Sequence, residues 1–316
     1  MNKNLLRKID LLSPPHREII NQYKRQEVFR CTHETHLHFN SAVSVHHILK
    51  VKKCYPQGCI YFKWKCKKLN KGAPCPKKYK HVGRTCFNCR YFYDIKVIKR
   101  PEVILPLKEF EQFKKDFKAF ENWLKSHQGR LVEFSGMINS VKPRYSLKMT
   151  SRKSYVFFEG FLLNFLESSI NATPFRDFIY VPISSRMQAR FQFAKGDSVS
   201  LSGYFTVKNG SIVLQKVRGI EILERGDTCF WTESRARVAQ RTGSILKYQS
   251  EKCFSCDKGI LLHIRSDDAQ RKGSGRRMFC LEGVEDPQFC CYSLQRNLMS
   301  HECAVDNEPD CAPIST

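Results

Sequence analysis

The sequence predicts a mainly β protein with flanking helices, in which a five-stranded barrel lies between two small cysteine-rich metal modules. Three observations lead there. Eleven of the fifteen cysteines gather at two places, near residues 54–89 and 253–291. Between them, Arg130 to Leu223 alternates apolar and polar residues at the period of β-strands. The formal charge is +24 and is concentrated beside the first cysteine group. These shifts divide the chain into a basic Cys/His-rich region (1–100), a linking helix (101–128), the barrel (129–225), a second cysteine-rich region (226–305) and a tail (306–316).

Residues 1–30 read as one or two basic helices broken at Pro14 and Pro15. Five of the ten histidines follow between Arg30 and His47. There THLHFN and SAVSVHHILKV favour strands, and His36 and His38 would share one face, as a metal pair or as an exposed polar face. The first cysteine group is Cys54, Cys59, Cys66, Cys75, Cys86 and Cys89. Cys86-x2-Cys89 is a knuckle, whereas Cys54/Cys59 and Cys66/Cys75 both fit as its partner pair. His81 is a possible substitute ligand. After Pro101, Leu107, Phe110, Phe113, Phe117, Phe120 and Leu124 recur at helical steps, and Gly129 can close the helix. That aromatic stripe reads as core.

The barrel strands follow in order: LVEFSGMINSV, SYVFFEGFLLNFL and DFIYVPI, then a short helical link, then DSVSLSGYFTV and, after the Asn209-Gly210 turn, SIVLQKVRGIEIL. Mid-strand glycines 136, 160 and 203 allow the bending that a small closed sheet needs. The run FAKGDSVSLSGYF with NGSIVLQKVRGIEIL resembles the fourth and fifth strands of OB-fold nucleic-acid-binding domains, here flanked by zinc-ribbon-like cysteine modules. The resemblance is at superfamily level and covers about 95 residues. It implies a ligand crossing strands two and three and the loops between strands one and two and between four and five. The residues so placed are Lys142, Arg144, Tyr145, Lys148, Arg152, Lys153 and Tyr155, with Arg176, Tyr180 and Lys208 beside them.

The second cysteine group offers the Cys253-x2-Cys256 knuckle and a wider pair, Cys280 with Cys290 or Cys291. In a reducing compartment such clusters argue for metal rather than disulfides. Two pairs suit tetrahedral Zn2+; all-cysteine ligation leaves an iron–sulfur cluster as the alternative at the first group. Cys31, Cys229, Cys303 and Cys311 lie outside both groups and read as inert thiols.

A charge of +24 steers a protein toward polyanions. Between Lys50 and Arg100 nearly every third residue is Lys or Arg, and Asp94 is the only acid. Lys63, Trp64, Lys77, Lys78, Tyr79, Lys80, Arg84 and Arg90 interleave cations with rings, a recipe for phosphate contact and base stacking. The expected function is nucleic-acid binding, with single strands of DNA or RNA preferred. An iron–sulfur redox or nucleic-acid-modifying protein is the alternative, and a protein partner in an RNA- or DNA-processing complex is a further expectation. No Gly-rich phosphate loop, nucleophile elbow or HExxH pair is present, so the chain reads as a binder rather than an enzyme. No membrane span or signal-peptide core is visible, and a cytoplasmic location is expected.

Overall fold

The computed structural model describes residues 18–33, 36, 42–149, 154–254, 256–266 and 276–290. The chain divides into two compact units, one of residues 21–123 and one that joins residues up to 20 with those from 124 onward. The first strand, β1 (Ile19–Ile20), belongs to the second unit. The first unit holds β2 (Phe29–Arg30), β3 (Ala42–Val43), β4 (Cys59–Cys66), β5 (Phe92–Lys99) and β6 (Glu102–Val103). Helix α1 (Leu107–His127) then carries the chain from one unit into the other.

The aromatic stripe of α1 builds the core of the first unit. Phe110 and Phe113 pack on Phe29, with Val28, Val45, Ile48, Cys31 and Cys54 buried around them. Phe117 and Phe120 meet the ring of Tyr23, whose hydroxyl donates to Glu121. Only Leu107, at the first turn, departs from the expected stripe and is exposed. Gly129 takes the left-handed conformation (φ +74°) that ends a helix. The strand expected through SAVSVHHILKV stops at Val43 and gives way to a π-helical turn, His47–Val51. Val45 and Ile48 are both fully buried, a three-residue step that a strand of period two cannot bury on one face. The described part of the N-terminal region holds short strands and a 3₁₀ turn at Gln22–Lys24 rather than a helix. His38 and the C-terminal tail lie outside the described residues.

The second unit contains a closed five-stranded barrel, compatible with an OB-like fold. Its strands are β7 (Leu131–Met149), β8 (Ser154–Ile170), β9 (Thr173–Ile183), β10 (Ser198–Lys208) and β11 (Ser211–Glu224), with α2 (Ser185–Phe191) between the third and fourth. Antiparallel pairs join β7 to β8, β8 to β9, β11 to β10 and β10 back to β7; β9 and β11 close the ring in parallel. Inward positions are those the alternation named, among them Val132, Phe134, Ile138, Val199, Leu201 and Phe205. At Gly136, where the β7–β8 register shifts, a Cβ would crowd the Glu167 carbonyl and the Ser168 side chain. The Gly196-Asp197 turn is held by a fully buried carboxylate, which accepts from the backbone N–H groups of Ala194 (3.0 Å) and Gly226 (2.9 Å).

The part of the expected loop between strands one and two that runs up to Met149 is instead strand. β7 and β8 run on as a long hairpin, paired from Tyr145↔Phe158 to Met149↔Ser154. Beyond the barrel come α3 (Glu233–Thr242), β12 (Ser244–Ile245), α4 (Glu251–Phe254), β13 (Gly259–Ser266) and β14 (Arg276–Cys280). β13 pairs in parallel with β7 (His263↔Ser146), so the second cysteine region shares a sheet with the barrel strands. Tyr145, Leu147, Ala239, Leu262 and Phe279 form the core beneath this junction. No helix among the described residues is long and apolar enough to cross a membrane.

Candidate metal centres and nucleic-acid interface

Strands β4 and β5 form an antiparallel ladder from Cys59↔Lys99 to Cys66↔Phe92, and residues 67–91 connect them. This connection is a succession of tight turns. Gly72 and Lys78 both adopt positive φ, and Lys78 N–H donates to the Cys75 carbonyl (2.9 Å). A 3₁₀ turn at Arg84–Cys86 then leads into Cys89, whose N–H donates to the Cys86 carbonyl (2.9 Å). The turns bring Cys66, Cys75, Cys86 and Cys89 to the wall of one small cavity, with Leu69, Val82, Phe92, Lys77, Tyr79 and His81 completing it. The pair that accompanies the Cys86/Cys89 knuckle is therefore Cys66 with Cys75. Cys54 and Cys59 lie elsewhere, packed with Cys31 in the apolar core of the unit. Burial, then the neighbouring thiols of Cys31 and Cys59, push the Cys54 thiol up and favour its neutral form.

The second group converges in the same way. Cys253 lies on α4, and the turn after Cys256 is closed by Gly259 N–H donating to the Cys256 carbonyl (3.0 Å). At Gly259 a Cβ would collide with the Cys253 carbonyl, so this turn admits only glycine. Cys280 ends β14, and Cys290 follows the 3₁₀ turn Pro287–Phe289. Cys253 packs against the buried Cys280, and burial, followed by the thiols of Cys256, Cys290 and Cys280, pushes the Cys253 thiol up. Cys291, the other choice for the fourth position, lies outside the described residues.

Both donor sets suit a thiophilic ion: four sulfurs, none of them in a disulfide. Among the described residues, however, no three or more His, Cys, Asp or Glu side chains are already spaced as a formed metal site.

The aromatic interface divides by face. Along β4, Ile60, Phe62 and Trp64 point outward, with Phe62 54% and Trp64 41% exposed. Ile98 stands across from Ile60 and Lys96 across from Phe62, while the exposed Phe87 meets Trp64 edge-on at 4.9 Å. Lys63 lies on the opposite face, its ammonium 6.0 Å from the Tyr61 ring. Lys77, Lys78, Tyr79, Lys80 and Arg84 are exposed on the connection, and Arg90 covers Tyr91 at 4.8 Å. The period-two pattern in CIYFKWKC carries this separation of faces.

On the barrel side the expected contacts are largely internal. Tyr145 is fully buried, and its hydroxyl donates to the Ala236 carbonyl (2.5 Å), so it has no face for a base. Lys142 Nζ donates to the carbonyls of Cys256 (2.8 Å) and Gly259 (3.2 Å), which ties the barrel strand to the second knuckle. Arg144 donates through Nη2 to the Glu159 carbonyl (2.7 Å). These three are engaged within the second unit because the supposed loop is a strand paired with β8 and β13. Lys148 stands across from Tyr155, which is exposed beside the exposed Phe157. Arg152 and Lys153 lie outside the described residues. Arg176 is exposed and 3.9 Å from Glu18. Sequence reasoning passed over Phe157, although SYVFF alternates clearly enough to place it on the face of Tyr155.

Neither protein-family models nor curated proteins include a match to this chain.

Proposed function

We propose that the chain binds single-stranded nucleic acid through the outward face of the β4–β5 hairpin, with Zn2+ held by Cys66, Cys75, Cys86 and Cys89 ordering the connection at its end. The observation that carries this reading is the exposed set Phe62, Trp64 and Phe87 within the most basic stretch of the chain. Large rings left in water are costly unless a partner covers them. Bases stack on such rings at about 1–3 kcal/mol each, and the surrounding lysines meet the phosphates. A second Zn2+ is assigned to Cys253, Cys256, Cys280 and Cys290, where Lys142 braces the turn. Zinc supplies no reaction at these positions; it crosslinks turns that hold too few apolar residues to order themselves. The OB-like barrel and the exposed pair Tyr155 and Phe157 support a separate contact on the second unit's own surface.

The test is fluorescence anisotropy of a labelled oligothymidylate and oligouridylate, each against a duplex of equal length. Single strands should bind more tightly, and Trp64→Ala or Phe62→Ala should each cost about 1–3 kcal/mol, roughly five- to 150-fold in Kd. Equal affinity for duplex, or no loss in either variant, would sink the proposal.

A further inference from the structure

We propose that His36 and His47 hold a third metal ion, a divalent cation of borderline softness such as Zn2+, within the unit of residues 21–123. Their Nε2 atoms face each other 3.1 Å apart, with the rings at 87°. Two imidazole nitrogens bound to zinc at about 2.0–2.1 Å in a tetrahedron stand about 3.4 Å apart. The rings therefore need to open by only a few tenths of an ångström to admit the ion.

A hydrogen bond between the two rings gives the same separation, and the nitrogen spectra described below tell the two apart. The buried His36 Nδ1 and Tyr61 Oη have no hydrogen-bond partner. His33 lies between these groups, its ring 5.6 Å from that of His36 and 4.5 Å from that of Tyr61. A cation at Nε2 fixes the proton of each ring on Nδ1 and brings its own water ligands, polar partners for a neighbouring group such as Tyr61 Oη. His47 opens the π-helical turn His47–Val51, a geometry that is rare and concentrated at functional sites. Burial, followed by nearby positive groups that include Lys52, keeps both imidazoles below their ordinary range and in the neutral form that a metal requires. Because no third protein ligand is already in place among the described residues, water completes the coordination. Lys52 works against the ion, so the site is weaker than the thiolate sets.

The experiment uses the untagged full chain, purified with its thiol-held zinc and then titrated with ZnCl2 by isothermal calorimetry. One further ion should bind. His36→Ala and His47→Ala should weaken it at least tenfold, His127→Ala should leave it unchanged, and Lys52→Ala should tighten it. Long-range proton–nitrogen spectra of the histidine rings in the unaltered protein should show zinc on Nε2 of residues 36 and 47, which needs no variant to fold. If the ion co-purifies, the chain carries three ions and loses one in His47→Ala. The absence of a saturable further site in protein that carries two ions, or an unchanged ion count and an identical site in His47→Ala, overturns the proposal. Cys66→Ser and Cys253→Ser report on the thiol-held ions alone, so the two metal readings fail separately.

Discussion

Tyr145 shows how one side chain can be read in opposite ways. Its neighbours Lys142, Arg144 and Lys148 are basic, and the string around it has no acid, so it reads as a ring offered to a base. In the fold it has no accessible surface and donates to a backbone carbonyl on α3. Tyr145→Phe should leave nucleic-acid affinity unchanged and lower stability by about 1–3 kcal/mol, the cost of stranding a buried carbonyl, seen as a lower urea midpoint. Gly226 is a second case. A Cβ there would collide with the backbone of Lys195 and Gly196, beside the Asp197 carboxylate that ties the turn together. Gly226→Ala should destabilise by about 1–3 kcal/mol in the same measurement, because backbone cannot yield as a flexible side chain can. His46 carries a prediction about acid. Burial, then Lys24 and Lys50, hold its imidazole below the ordinary range. The unfolded chain therefore binds the proton more readily, and this contribution to stability is present above the unfolded pKa of about 6.5 and lost as pH falls below it. The urea midpoint should drop between pH 7.5 and 5.5, and less steeply in His46→Gln.

Among the elements, the β4–β5 hairpin went unread, although its pattern was there to be used. Period two in CIYFKWKC is enough by itself to separate Ile60, Phe62 and Trp64 from Tyr61, Lys63 and Lys65. The choice of cysteines was not legible, because spacing permits either candidate pair to reach the knuckle. Cys66 qualifies because it ends a strand whose partner begins at Phe92, three residues after Cys89. Cys66→Ser should remove one zinc and leave the other thiol-held ion, read by metal analysis of the purified protein. Cys54→Ser should remove neither, since that thiol belongs to the apolar core. The helix α1 behaved as its period required, apart from Leu107, where the first turn extends past the residues it could cover.

For the whole molecule, charge makes the quantitative prediction. With 54 Lys and Arg against 30 Asp and Glu, affinity for a single strand should fall with salt at a log–log slope of about −0.7 per phosphate neutralised. A flat salt response would mean that the basic surface meets something other than a phosphate backbone. Removing metal with a strong chelator should abolish binding while the barrel, whose core contains no cysteine ligand, keeps its far-ultraviolet strand signal.

Local pattern alone determined the strands of the barrel, the aromatic helix, the two gatherings of cysteine and the positive field, because each rests on periodicity, spacing or a sum of charges along the chain. Tertiary structure decided which four thiols share the first cavity, which basic side chains remain at the surface, and that His36 faces His47. Those outcomes depend on which distant segments pack together, as when β13 lies along β7 and turns a basic loop into an internal strand. Nothing in residues 141–154 carries that information, since the covering strand begins more than a hundred residues later.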